Sequence, residues 1–295
     1  GIYGQDLDEE LAYKIGYFIP KVLKADKVLV GRDMRLSSED LFEALAEGIM
    51  DSGANIFDAG LTTTPMIYWG TAKYDFPASV QITASHNPGD HNGFKVSGKN
   101  AKPIGFDNGL NEVENLIKTE DIVPAETPGF YRALDYRSAY IDFLKDYKPD
   151  LEGLKIVIDC SDGIAGPFVK DILKKRPHYI NEKPDGTFPH HDPNPLNPEN
   201  LKQLQAKVKE KQADIGIIFD GDADRVMFVD ETGKFISPDL MIAFMGDFFK
   251  DRFKENNLAI QDIRSSKAIA EYLKKYEVKM HTWRVGRAYA ASKLA

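Results

Sequence analysis

The chain has 295 residues, with 38 Lys and Arg against 46 Asp and Glu, for a net charge of −8. That balance excludes a basic face for nucleic acid or for an anionic membrane. Its single cysteine, Cys160, excludes an intrachain disulfide and fits a cytoplasmic setting, and no apolar run approaches the roughly eighteen residues of a membrane span.

In chain order, apolar residues at helical spacing (Leu11, Ile15, Phe18, Val22) predict a helix over 7–23. Lys27 to Val30 reads as a short strand that ends in the loop Gly31-Arg32-Asp33-Met34-Arg35. Ser37 or Ser38 is expected to cap the next helix, which carries Leu41, Leu45 and Ile49 along one face and ends near Gly53. Strands follow at 54–57 and 79–83, then helices at 106–116 and 137–146. Residues 155–159 form a buried strand, followed by a Gly-containing turn and a helix reaching Lys174. The stretch 188–200 is too rich in Pro and Asn for regular structure and reads as a packed interdomain loop. Asn197 and Pro198 suit the N-cap and first position of a helix to about Lys211, which feeds a strand at 215–220.

Alternating strands and helices argue for consecutive three-layer α/β/α domains with mixed, largely parallel sheets. The length suits about two domains of ordinary size. We expect one domain over 1–133, a second over 134–236 and an incomplete third over 237–295. Several strands end in loops bearing Asp or Arg, and such carboxyl-end loops form the ligand crevice of open α/β sheets.

Two of these loops carry chemistry. Asp220-Gly221-Asp222-Ala223-Asp224-Arg225 follows the apolar run Ile215 to Phe219. Carboxylates at every second position of a tight turn can converge on one hard cation, for which Mg²⁺ is suited, with Arg225 placing a fixed charge where a phosphate would sit. A solvated acidic turn would explain neither the Arg nor the strand before it. The second loop, Thr83-Ala84-Ser85-His86-Asn87-Pro88, continues through Asn92-Gly93-Phe94-Lys95 and offers a serine flanked by a histidine and an amide. Alone it reads equally well as an ordinary turn.

Taken together the two loops resemble those of the α-D-phosphohexomutases, the phosphomannomutase and phosphoglucomutase enzymes. Gly31-Arg32-Asp33-Met34-Arg35, Ile158-Asp159-Cys160-Ser161-Asp162-Gly163 and the run from His191 to Asn200 add to the resemblance, which extends in order through essentially the whole chain. It implies reversible conversion of hexose 1-phosphates into 6-phosphates, of mannose or glucose, through a phosphoserine on Ser85 and a bound hexose 1,6-bisphosphate. Mg²⁺ would be held by Asp220, Asp222, Asp224 and Ser85, and Arg225 would hold a phosphoryl oxygen. Lys95 is the first choice for the general base and His86 the second; Arg32 and Arg264 are expected to contact substrate. The protein is expected to be a monomer or weak dimer. A phosphoglucosamine mutase is the nearest rival. A Mg²⁺-dependent phosphatase with Asp220 as nucleophile is a rival from another reaction class.

The ends, Gly1 and a run to Ala295 that still reads as helix, suggest a fragment, so a weakly active metal- and phosphate-binding piece is a third reading. Trp283-Arg284-Val285-Gly286-Arg287 departs from the family pattern, with Arg287 where a His is usual; an arginine can bind phosphate but cannot shuttle a proton near neutral pH. Cys160 and Trp283 are read as core residues, and His190 and His191 as structural.

Overall fold

A computed structural model describes residues 1–294. The first group of elements comprises α1 (Glu9–Leu23), β1 (Lys27–Arg32), α2 (Ser38–Asp51), β2 (Asn55–Leu61), α3 (Thr64–Lys73), β3 (Ala78–Ile82), β4 (Phe94–Gly98), α4 (Leu110–Thr119) and β5 (Tyr131–Ala133). The second comprises α5 (Arg137–Lys145), β6 (Ile156–Asp159), α6 (Ala165–Leu173), β7 (His178–Ile180), α7 (Lys202–Lys211), β8 (Ile215–Phe219), β9 (Val226–Asp230) and β10 (Phe235–Ile236). The third comprises α8 (Pro238–Phe249), β11 (Leu258–Asp262), α9 (Lys267–Leu273), β12 (Lys279–Trp283) and α10 (Arg287–Leu294). Ala295, the end of the run read as helical, lies outside the described residues. Among these residues no helix is long and apolar enough to cross a membrane.

The described strands form three sheets, ordered β4-β3-β1-β2-β5, β10-β9-β8-β6-β7 and β11-β12. In the first, β1 runs parallel to β2 and β3, and only β4 is antiparallel to its neighbour. In the second, β6 is parallel to β7 and β8, whereas β9 and β10 form an antiparallel edge. The fold class is therefore the α/β arrangement of mixed, largely parallel sheets expected from the sequence.

Alternation along β1 builds the layers. Val28 and Val30 face the core under α1 and α2, while Leu29 faces the opposite core with Met66 and Ile67 of α3. Helices α1 and α2 pack backbone to backbone: a Cβ on Gly16 would lie 2.2 Å from the Leu45 carbonyl oxygen, and one on Gly48 2.0 Å from that of Tyr13. Every residue of β3 is buried, so its polar members need partners. Thr71 Oγ1 donates to Ser79, and Gln81 exchanges hydrogen bonds with the side chain and carbonyl of Thr62.

Several boundaries differ from the sequence reading. Helix α1 starts at Glu9 because the Asp8 side chain accepts the Leu11 N–H as a cap. The expected helix at 106–116 is broken at Gly109, whose φ of 148° separates a 3₁₀ turn at Phe106–Asn108 from α4. Asn197 does cap at Glu199, but Pro198–Leu201 forms a 3₁₀ turn before α7 begins. Ser37 and Ser38 make no cap bond at α2; both hydroxyls accept from Asn92 Nδ2, and Ser38 Oγ donates to Asp33. Trp283 is half-buried rather than core, because among the described residues β12 has only β11 beside it; Lys293 lies over its ring, and its indole N–H has no partner among those residues. Cys160 is fully buried, and burial pushes its thiol well above the ordinary range, which suits a packing role.

Candidate metal and phosphate site

The serine loop leaves β3 at Ile82 beside the end of β1, because β3 pairs directly with β1. Ser85 itself is buried and takes a left-handed backbone, with φ of 55°. Its N–H donates to Thr83 Oγ1 at 2.8 Å, and Thr83 in turn donates to Asp33 at 2.7 Å. The buried Arg35 guanidinium fastens the rest of the loop, donating to the carbonyls of Ser85, Asn87, Pro88 and His91. One planar five-donor fork thus satisfies four carbonyls that no strand could pair. Asp33 balances the Arg35 charge at 3.1 Å.

The second loop is the reversal between β8 and β9. Asp220 Oδ1 accepts the backbone N–H groups of Asp224 and Arg225, closing the turn. It is pressed against the serine loop at Gly221, where a Cβ would stand 2.6 Å from the Ser85 carbonyl oxygen. The two loops, far apart in sequence, therefore meet. Ser85 Oγ donates to Asp220 Oδ2 at 2.8 Å across a separation of 135 residues. Lys95, on β4, reaches over the junction, its Nζ donating to Asp222 Oδ2 and Asp224 Oδ2 at 2.6 Å each. Arg225 Nε lies 3.9 Å from carboxylate oxygens of Asp220 and Asp224.

The electrostatics follow from packing three acids together. Burial, then Asp222 and Asp224, push the Asp220 carboxyl up to about 8. Burial opposes ionisation of Asp222 too, but Lys95 and the hydroxyls beside it hold its carboxyl below the usual range. Burial alone would lower Lys95; Asp222 and Asp224 outweigh it and keep the ammonium well above its ordinary value. His86 is lowered by burial and by Arg225, and its Nδ1 is buried without a partner.

This set fits a hard divalent cation. One ligand atom from each of Asp220, Asp222 and Asp224 lies within 4.8 Å of the others, and Asp222 Oδ1 is buried with no hydrogen-bond partner. A buried carboxylate oxygen left bare is costly unless a cation completes it.

The model for the phosphoglucomutase/phosphomannomutase alpha/beta/alpha domain I matches residues 1–123, and that for domain II matches residues 138–233. The chain belongs to the phosphoglucomutase/phosphomannomutase family. It is 38% identical to a phosphomannomutase of Salmonella typhimurium over 264 residues, covering 85% of this chain and 58% of that protein. It is 34% identical to a phosphoglucomutase of Neisseria gonorrhoeae, covering 94% of this chain and 61% of that one. A solved phosphoglucomutase/phosphomannomutase family protein from Burkholderia thailandensis superposes with a TM-score of 0.90 at 28% identity, over 100% of this chain and 66% of its own. The chain thus spans 58 to 61% of the length of the two curated relatives.

In this family member the structure brings together Ser85, His86, Lys95, Asp220, Asp222, Asp224 and Arg225. Arg32 is not among them. Its guanidinium is held by Glu39 at 2.6 Å and Asp58 at 2.8 Å and lies over the Phe42 ring, so it braces β1 against α2 and β2. Arg264 is exposed and paired with Asp262 at 2.9 Å. It lines a cleft of about 490 Å³ with Arg225, Arg284 and Arg287. Arg284 reaches Asp107 at 2.9 Å, and Arg287 stacks 3.6 Å from the Tyr68 ring centroid, so both tie the third group to the first. His190 and His191 bind Asp162 and Asp159, and neither joins the acidic cluster.

Two residues of the site escape sequence reasoning. Arg35 sits in the same strand-end loop as Arg32, and nothing in the pattern says which arginine turns inward. Thr64, at the start of α3, donates both its hydroxyl and its N–H to Asp222; the sequence reading assigns no element to that stretch.

Proposed function

We propose that this chain carries the phosphoryl-transfer site of a phosphohexomutase that interconverts the 1- and 6-phosphates of mannose or glucose. The hydrogen bond from Ser85 Oγ to Asp220 within the acidic cluster carries the reading. It supports the reading because a hydroxyl, a carboxylate cluster and the charges of Lys95 and Arg225 lie close together, as phosphoryl transfer would require of a nucleophile and a cation site. Mg²⁺ held by Asp220, Asp222, Asp224 and Ser85 would supply Lewis-acid neutralisation of a phosphoryl oxygen.

The chain's own residues do the rest. Arg35 and Thr83 fix the serine loop so that Oγ points across the junction. Arg225 holds a phosphoryl oxygen, and Lys95 offsets the charge of the cluster as phosphate enters. His86, whose imidazole burial and Arg225 keep neutral, is the candidate for accepting the proton of a sugar hydroxyl. Lys95, the first choice from the sequence, is held as an ammonium by Asp222 and Asp224 and would have to lose that proton before acting as a base. Arg264, Arg284 and Arg287 offer cations to the far end of a sugar phosphate in the adjoining cleft, and a hexose 1,6-bisphosphate formed there returns its other phosphoryl group to Ser85. The rival phosphatase reading would make Asp220 the nucleophile, whereas the Ser85 hydroxyl lies against that same carboxylate and offers a nucleophile of its own.

We further propose domains over 1–133, 134–236 and 237–295, a cytosolic location consistent with the free thiol of Cys160, and a monomer or weak dimer. The test of the activity is intact-mass analysis after incubation with Mg²⁺ and a hexose 1,6-bisphosphate. One added phosphoryl group mapping to Ser85, and none on Ser85→Ala, is expected; label on Asp220 with Ser85→Ala still labelled would replace the mutase by the phosphatase. A coupled assay of the complete protein on mannose, glucose and glucosamine 1-phosphates tests the sugar, and equal or better turnover of the glucosamine compound would overturn that choice.

A further inference from the structure

The Asp222 carboxylate is held on one of its two oxygens, and by residues of the other sheet's domain. Thr64 follows the carboxyl end of β2, the strand beside β1, and begins α3. Its side chain is fully buried. The Oγ1 hydroxyl donates to Asp222 Oδ2, and the backbone N–H, free because it opens a helix, donates to the Asp222 carbonyl at 3.1 Å. Lys95 donates to the same Oδ2 at 2.6 Å. One oxygen of the carboxylate is therefore doubly held, while Oδ1 is buried and has no partner.

We infer that Thr64 is a positioning residue for the metal centre: by fixing Asp222 Oδ2 it turns Oδ1 toward the cation and clamps the β8–β9 turn to the serine-bearing sheet. The inference rests on the metal reading above. A ligating carboxylate whose second oxygen is hydrogen-bonded keeps its orientation without a bound ion, so less ordering is required when the ion arrives. Lys95 cannot substitute, since an ammonium on a flexible stem neutralises charge but does not set the plane of the carboxylate. Thr64 contributes one short, rigid donor together with a main-chain N–H from the same residue. Those two bonds hold both the side chain and the backbone of Asp222.

The experiment is calorimetric titration of Mg²⁺ into the protein as it exists, with Thr64→Val, Thr64→Ser and Thr64→Ala, alongside the thermal midpoint of each cation-free protein. Thr64→Val keeps the shape and the backbone N–H but removes the hydroxyl. We expect its Mg²⁺ affinity to fall by about 10- to 100-fold, as for other groups that orient a ligand, and Thr64→Ser to recover most of it. Thr64→Ala takes the place of Thr64→Val should the latter not fold. An unchanged affinity with a lowered midpoint would make Thr64 merely structural and overturn the inference. Failure of the unaltered protein to bind Mg²⁺ would overturn the metal reading itself, and the inference with it.

Discussion

His191 shows how a single side chain can fasten to the second sheet a loop that also meets the first. It is nearly buried and its Nε2 meets Asp159 at 3.1 Å, while Phe188, three residues earlier, lies against Arg35 at 5.1 Å. Burial alone would lower the imidazole, but the Asp159 carboxylate outweighs it and raises the folded value above the ordinary one. A raised folded value means that the protonated pair stabilises the protein fully below the unfolded imidazole value of about 6.5 and that this contribution fades as pH rises through the folded value. His191→Asn is therefore expected to cost about 1.5 to 3 kcal/mol at pH 6, the range of a charged hydrogen bond, and clearly less at pH 9. Denaturant unfolding at the two pH values checks it; a difference that grows with pH would contradict the assigned pair. The adjacent His190 and His191 were legible as structural because a Pro-rich loop gives no cation geometry. Their carboxylate partners were not, because Asp159 and Asp162 come from a strand end about thirty residues upstream that only the fold brings near.

At the scale of elements, the decisive feature is the contact of two turns. Gly221 has no room for a side chain, since the Ser85 carbonyl oxygen lies where its Cβ would go and is main chain that cannot swing aside. Gly221→Ala is expected to separate the loops, costing about 1–3 kcal/mol as overpacking and weakening Mg²⁺ binding along with it. Titration of Mg²⁺ beside a denaturant curve checks this, and full retention of both would show the loops to be looser than drawn. The turns themselves could be read in the sequence, as strand-end clusters of Asp, Ser and His. Their meeting was implied only by the family resemblance and not by the residue pattern, because it depends on α3, β4 and β9, none of which the pattern shows clearly. Helix α3 carries Thr, Pro, Tyr, Trp and Gly with no helical stripe, and β4 and β9 are five residues each beside conspicuous loops.

At the scale of the whole molecule, an apolar seam keeps the two halves of the site together. Leu29, Met66 and Ile67 from the first sheet and α3 meet Tyr140 and Ile141 of α5 and Phe168 of α6 in one buried cluster. Phe168→Ala is expected to lose about 3–5 kcal/mol, typical of a buried aromatic, and to lower cation affinity although it touches no ligand. Thermal unfolding with and without Mg²⁺ reads both effects; a stability loss with unchanged affinity would show that the site does not depend on the seam. The third group is attached differently, through Arg284 with Asp107 and Arg287 over Tyr68, contacts at the surface that contribute little each.

The account stands on Ser85 and the three aspartates sharing one ion. Electron–nuclear double resonance on protein phosphorylated at Ser85 and loaded with Mn²⁺ measures this directly. A strong ³¹P coupling to the manganese, lost in Asp222→Asn, is the expected result. Manganese bound at the aspartates with no phosphorus coupling would place the phosphoserine outside the ion's reach and contradict it.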